Sequence, residues 1–159
     1  MHSFFEWLQN LPVFVSIAGS ESIWSYPTIL MLHTVGLGWL VGLNTVVALR
    51  LLGVGKSVPF AVLDPLFPKM WWGFWLNLVT GLILFSLDAD HKAFQWIYWA
   101  KLSAIALALM NLHRTRVYLN SPQFPGTDPV PFRGRRFAWV AIILWVTATT
   151  TGRLMAYVG

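Results

Sequence analysis

Cysteine is absent from the 159 residues, which excludes disulfides, thiolate metal centres and a covalently attached c-type haem. Any metal would have to be held by His, carboxylate or another nitrogen or oxygen donor. Charge is scarce as well: Asp, Glu, Lys and Arg together make up 11% of the chain, and the six acidic residues are outnumbered by eleven Lys and Arg. With 57% apolar residues and a mean hydropathy of +0.61, a water-facing domain of this size would not stay soluble. There is no internal repeat and no segment that reads as a soluble catalytic domain. The net charge of +5 does not point to nucleic acid. The basic residues sit between apolar runs and are not interleaved with exposed aromatics on one domain.

What is present is a set of long apolar runs. A bilayer core is about 30 Å thick and needs roughly 20 residues of apolar helix. Four runs approach that length: Thr28 to Leu49, Met70 to Leu87, Ala93 to Leu112 with Lys101 inside it, and Phe137 to Val158 with Arg153 inside it. They predict an all-α protein, an integral membrane four-helix bundle forming a single transmembrane domain over residues 1–159. The connections after the first and third runs carry Arg50, Lys56, Lys69, Arg114, Arg116, Arg133, Arg135 and Arg136, against Asp64 and Asp128. The other side holds Glu6, Glu21, Asp88 and Asp90 with Lys92 alone. By the positive-inside rule the basic side faces the cytoplasm, and both termini face the periplasm of a bacterial inner membrane.

The first 22 residues do not read as a signal peptide, because Glu6 stands where a basic region belongs and Pro12 interrupts the apolar run. Phe4, Phe5, Trp7, Leu8, Leu11, Phe14 and Val15 form a broad apolar stripe, which predicts an interfacial helix over 3–18 on the periplasmic surface. Pro122, Pro125, Pro129 and Pro131 predict an extended cytoplasmic loop from Ser121 to Arg133. Gly38 and Gly42 are spaced for close helix contact.

An ionisable group inside a span costs several kcal/mol unless it is paired or hydrated, so each one is a functional candidate. There are three: His33, Lys101 and Arg153. At about 1.5 Å per residue, His33 lies roughly 9 Å below Pro27, Lys101 about 12 Å below Ala93, and Arg153 about 9 Å from the C-terminus. All three fall at one level in the periplasmic half, where no span carries a carboxylate. An imidazole and two cations at one depth call for an anion. Haem b supplies an iron for His33 and two propionates for Lys101 and Arg153. His33, Gly36, Leu37, Leu40 and Asn44 share a helical face, and Gly36 would let a flat macrocycle approach the backbone. His91, in the turn before the third run, is either a solvated loop residue or a second axial ligand. Lys101 has two further options, ligation of the iron or contact with a quinone.

Plainer readings stand beside these. His33 could be an ordinary interhelical hydrogen-bonding residue, and Lys101 and Arg153 could snorkel to headgroups. His113, next to Arg114, reads as interfacial, and His2 carries no signal. The tryptophans, including Trp71, Trp72, Trp75, Trp96 and Trp99, read mostly as interface belt residues with stacking on a ring system as the alternative.

The run Trp24, Ser25, Tyr26, Pro27, then Leu32 to Leu37, then Leu49 to Gly53 resembles an uncharacterised family of small bacterial four-helix integral membrane proteins. The likeness continues through Thr80, Gly81, Leu84, Phe94, Lys101 and Leu102 to Gly152, Arg153, Leu154, Ala156 and Tyr157. It implies the fold and marks His33, Lys101 and Arg153 without naming a reaction. A more distant similarity, carried by His33, the pair Lys101 and Leu102, and Arg50, is to haem-binding protoporphyrinogen oxidases and to copper-resistance membrane proteins. The first run lacks the oxidases' proline-arginine ending, and the amphipathic start is extra. The similarity therefore implies haem binding rather than the oxidase reaction.

The leading expectation is a b-type cytochrome or haem-dependent redox subunit, passing electrons between a periplasmic redox protein and the quinone pool. The alternative is a non-catalytic accessory or anchoring subunit of a larger membrane complex. A metal-resistance transporter is disfavoured, because Met31, Met70, Met110 and Met155 scatter across both leaflets.

Overall fold

A computed structural model describes residues 25–87 and 95–155. The predicted interfacial helix 3–18, the turn from Asp88 to Lys92, His2 and His91 lie outside the described residues. Among those residues the chain is all-helical, without strands: α1 (Ser25–Leu51), a short 3-10 helix (Phe60–Leu63), α2 (Leu66–Ser86), α3 (Trp96–Leu119) and α4 (Phe132–Leu154). Two of these, α1 and α4, are both long and apolar enough to cross a membrane. The other two are of similar length, 21 residues for α2 and 24 for α3, but neither holds an 18-residue stretch that is apolar enough by the same measure. Lys69, three tryptophans and Asn77 dilute α2, and Lys101 with the polar stretch from Asn111 to Arg116 dilutes α3.

Proline and glycine set several of the ends. Pro27 and Pro68 occupy first turns, where a missing N–H costs nothing, and Pro131 caps α4. At the end of α1, Gly53 takes φ +93°. Its N–H donates to the Arg50 carbonyl at 3.1 Å, and the Val54 N–H donates to the Leu49 carbonyl at 3.0 Å, the paired bonds of a Schellman close. The α3 helix does not stop with the uncharged run at Leu112. Arg114 and Arg116 are good helix formers, so it continues to Leu119 and ends just before Ser121 and Pro122.

Backbones approach most closely between α1 and α2, between α3 and α4, and between α1 and α4. At the first of these crossings two glycines face each other. A Cβ at Gly73 would lie 3.0 Å from both the Gly36 carbonyl and the Leu40 nitrogen, and one at Gly36 would lie 3.1 Å from the Gly73 carbonyl. The expected contact through Gly38 and Gly42 is therefore corrected: a Cβ added at either would meet no other element within 4 Å among the described residues, and both are on the open side of α1. Ala104 and Ala108 of α3 and Ala138, Ala141 and Ala148 of α4 are all buried, small residues that let that pair pack closely. The α2–α3 seam is wider and is bridged by side chains, with Phe85 stacked on Tyr98 at 4.9 Å and the Arg116 guanidinium 5.8 Å from the Phe67 ring.

The loop from Ser121 to Arg133 folds back over one end of the bundle instead of extending from it. Arg50, only 5% exposed, holds it there. Its guanidinium makes a two-pronged pair with Asp128, at 3.2 and 3.0 Å, and its Nε donates to the Val58 carbonyl at 2.7 Å. The same group lies 3.8 Å from the Phe60 ring centre, and Phe60 meets Phe124 edge to face at 4.9 Å. Arg116 and Asn120 hold Asp64 alongside, at 3.3 and 3.1 Å. This is the basic end of the molecule.

Candidate functional site

His33 lies half-buried on α1, toward the opposite end. Leu40 and Asn44, two and three turns further along its face, are buried, so the face read from the sequence points inward. The imidazole Nδ1 is 3.0 Å from the Thr80 hydroxyl of α2. That hydroxyl is 2.7 Å from the Leu76 carbonyl, which can only accept. With the hydroxyl proton on Leu76, the shorter of its contacts, Nδ1 carries the proton that bridges to Thr80. Nε2 is left with its lone pair, the arrangement found where a histidine is held by one nitrogen and ligates through the other. Gly81 makes room for the ring: a Cβ there would lie 3.2 Å from the imidazole Cε1.

Lys101 of α3 reaches the same level from across the bundle. Its side chain runs over Gly152 of α4, where an added Cβ would sit 3.5 Å from Cε and 3.6 Å from Nζ. The ammonium is close enough to His33 for the two to interact electrostatically. All four helices therefore contribute to this level: His33, Thr80 with Gly81, Lys101 and Gly152. Two turns along the face of α4 that carries Gly152 is Trp145, 3% exposed, whose indole N–H is buried without a hydrogen-bond partner. The level and its surroundings are rich in donors. The two carboxylates among the described residues, Asp64 and Asp128, are both engaged at the basic end.

The remaining candidates are placed differently. Arg153 is on the exposed side of α4 and does not join His33 and Lys101. Gly36 is covered by α2, so the space it creates is taken by the Gly73 and Asn77 backbone. His113 is exposed near the basic end, and Trp72, Trp75, Trp96 and Trp99 face outward. Thr80, Gly81 and Gly152 were not singled out as site residues from the sequence. Counting inward from Asp88 would have found the first two, since they lie about as deep in their run as His33 does in its own. Trp145 gives no such signal, because burial of its N–H depends on the neighbouring helices.

No protein family, curated protein or solved structure matches this chain. The functional reading therefore rests on the site itself.

Proposed function

We propose that the chain is a b-type cytochrome or haem-dependent redox subunit, whose four helices all cross the bacterial inner membrane. The Thr80-held imidazole of His33, set inside the bundle beside Lys101, is the observation that carries this reading. Its Nε2 is suited to an iron and the Lys101 ammonium to a propionate, while the donors of this level are suited to an acceptor-rich anionic group. A haem b bound there would supply reversible one-electron exchange. Within the protein, Thr80 fixes the imidazole tautomer, Gly81 and Gly152 leave room for the two polar side chains, and the apolar walls keep water away. Arg153 belongs at the headgroup level in this reading, and a periplasmic redox protein and the quinone pool would be the electron partners.

The membrane placement is supported by what faces outward. Large apolar side chains are exposed along every helix, among them Val35, Val46, Val79, Leu82, Leu107, Met110, Ile143 and Val146. Polar Asn44, Thr80, Asn111 and Thr115 are buried. This is the reverse of a water-soluble bundle. Only 17% of the apolar window of α1 and 22% of that of α4 is buried, whereas the core helix of a soluble protein is mostly buried. The length of α2 and α3 and their exposed apolar faces suit them to cross alongside, and the basic end would lie in the cytoplasm with both termini in the periplasm.

The test is a reduced-minus-oxidised visible spectrum of the protein purified in mild detergent from haem-supplied cells. A Soret and an α band are expected, and His33→Ala should abolish them. Absence of both bands from the parent protein would sink the haem reading, and an unchanged spectrum in the variant would exclude His33 as ligand. A second reading, an accessory subunit without a cofactor, is favoured by the uncovered Gly38 and Gly42 side of α1, a surface suited to another helix. Co-purification of a stoichiometric membrane partner with a featureless spectrum would select it.

A further inference from the structure

Between the last turns of α3 and the first turns of α4 the basic end opens into a cleft of about 710 Å³. Arg114, Arg133 and Arg136 stand around it, and Val117, Phe137 and Val140 form its apolar walls. Neither Asp nor Glu lines it. The two described carboxylates at this end cannot serve these arginines, because Asp128 is held by Arg50 and Asp64 by Arg116 and Asn120. Arg133 is already oriented: it donates to Gln123 Oε1 at 2.7 Å, and its guanidinium lies 5.4 Å from the Tyr118 ring centre. At the base, the Asn111 amide donates to the Phe137 carbonyl at 3.0 Å and ties the two helices together. The cleft is thus held in shape, and its positive charge is not neutralised from within.

We infer that this cleft binds an anionic phospholipid of the cytoplasmic leaflet. The arginines present fork-shaped donors that match phosphate oxygens, and the apolar walls continue into the exposed Val117 side of α3, along which an acyl chain can lie. A free inorganic anion would use the arginines but leave those walls uncovered. A basic pocket between helices on the cytoplasmic side has the chemistry for a phospholipid headgroup. The inference rests on the membrane placement proposed above, but not on haem.

Native mass spectrometry of the full chain in detergent tests it, with phosphatidylglycerol, phosphatidylcholine and inorganic phosphate as probes. Phosphatidylglycerol should be retained and phosphatidylcholine lost. Millimolar phosphate should not displace the lipid. R133Q/R136Q should weaken retention about tenfold. R135Q makes the same charge change on the same turn but outside the cleft, and should retain the lipid as the parent does. Equal loss in R135Q and R136Q, equal retention of both lipids, or displacement by phosphate would each overturn the inference. Should R133Q/R136Q fail to fold, R114Q and R136Q singly carry the test, each expected to weaken binding while R135Q does not. Recovery of the protein from the aqueous fraction without detergent would instead overturn the membrane placement.

Discussion

Arg50 and His33 sit on the same helix and both point inward, yet their surroundings differ. Around Arg50 the guanidinium has a carboxylate, two backbone carbonyls and an aromatic face, so its bonding capacity is met by the protein. His33 has one nitrogen fixed by Thr80 and the other left with a lone pair, with Lys101 nearby. A buried polar group whose valences are filled from within holds structure together. One that is held firmly on one side and open on the other suits an added ligand. Among the described residues the basic end is the first kind, and in the proposed reading the His33 imidazole is the second. Changes at the first should therefore cost stability, and changes at the second should cost ligand binding.

The largest loss of stability is expected from Arg50→Ala. Hydrogen bonds to charged groups contribute about 1.5–3 kcal/mol each, and Asp128 and the Val58 carbonyl would both lose their donor, so a loss of about 3 kcal/mol is expected in denaturant unfolding in detergent. His33→Ala should change that curve far less while removing the spectrum. Gly73→Ala comes next, at about 2 kcal/mol, because its Cβ would press on the Gly36 and Leu40 backbone as well as on the Trp39 ring. Gly38→Ala, with open space around it, should leave the midpoint where it was. Gly53→Ala should cost about 1 kcal/mol through its left-handed backbone, with the same readout.

The smallest effect is one of pH. The hydrogen bond from Arg50 holds the Asp128 carboxyl below the ordinary carboxylate value of 3.8, and the Asn120 amide, followed by Arg116, does the same for Asp64. A carboxylate whose pKa is depressed by folding contributes stability that is present above the ordinary value and is lost as pH falls through the depressed one. Thermal unfolding midpoints should thus hold steady at neutral pH and drop on acidification below about pH 4. In Asp64→Asn/Asp128→Asn that acid-dependent part of the drop should disappear. A drop of the same size in the double variant would place the acid sensitivity elsewhere.

Much of the helical order is legible in the sequence, because long uncharged runs have few other ways to bury their backbone. The inward face of α1 is legible too, since His33, Leu40 and Asn44 share it at helical spacing. The glycines of α1 are harder. Gly38 and Gly42 have the familiar spacing, but Gly36 lies on the inward face, and only the approach of α2 decides which of them is needed. Arg50 reads as one more basic residue beyond a run, because its partner Asp128 lies 78 positions away and is brought back only by the folded loop. Arg153 counts to the same depth as His33 and Lys101, but depth does not fix azimuth, and it falls on the outer side. The tautomer of His33 could not be read at all, because it depends on whether a backbone carbonyl or the imidazole takes the Thr80 proton.

The absence of cysteine makes the proposed membrane arrangement open to direct measurement. Single substitutions Ser57→Cys and Thr127→Cys mark the basic end, and Thr28→Cys marks the other. With a membrane-impermeant maleimide on intact cells, Thr28→Cys should be labelled, whereas the two at the basic end should be protected until the membrane is permeabilised. Equal labelling of both ends in intact cells, or protection of Thr28→Cys with labelling of the other two, would contradict the proposed crossing and its direction.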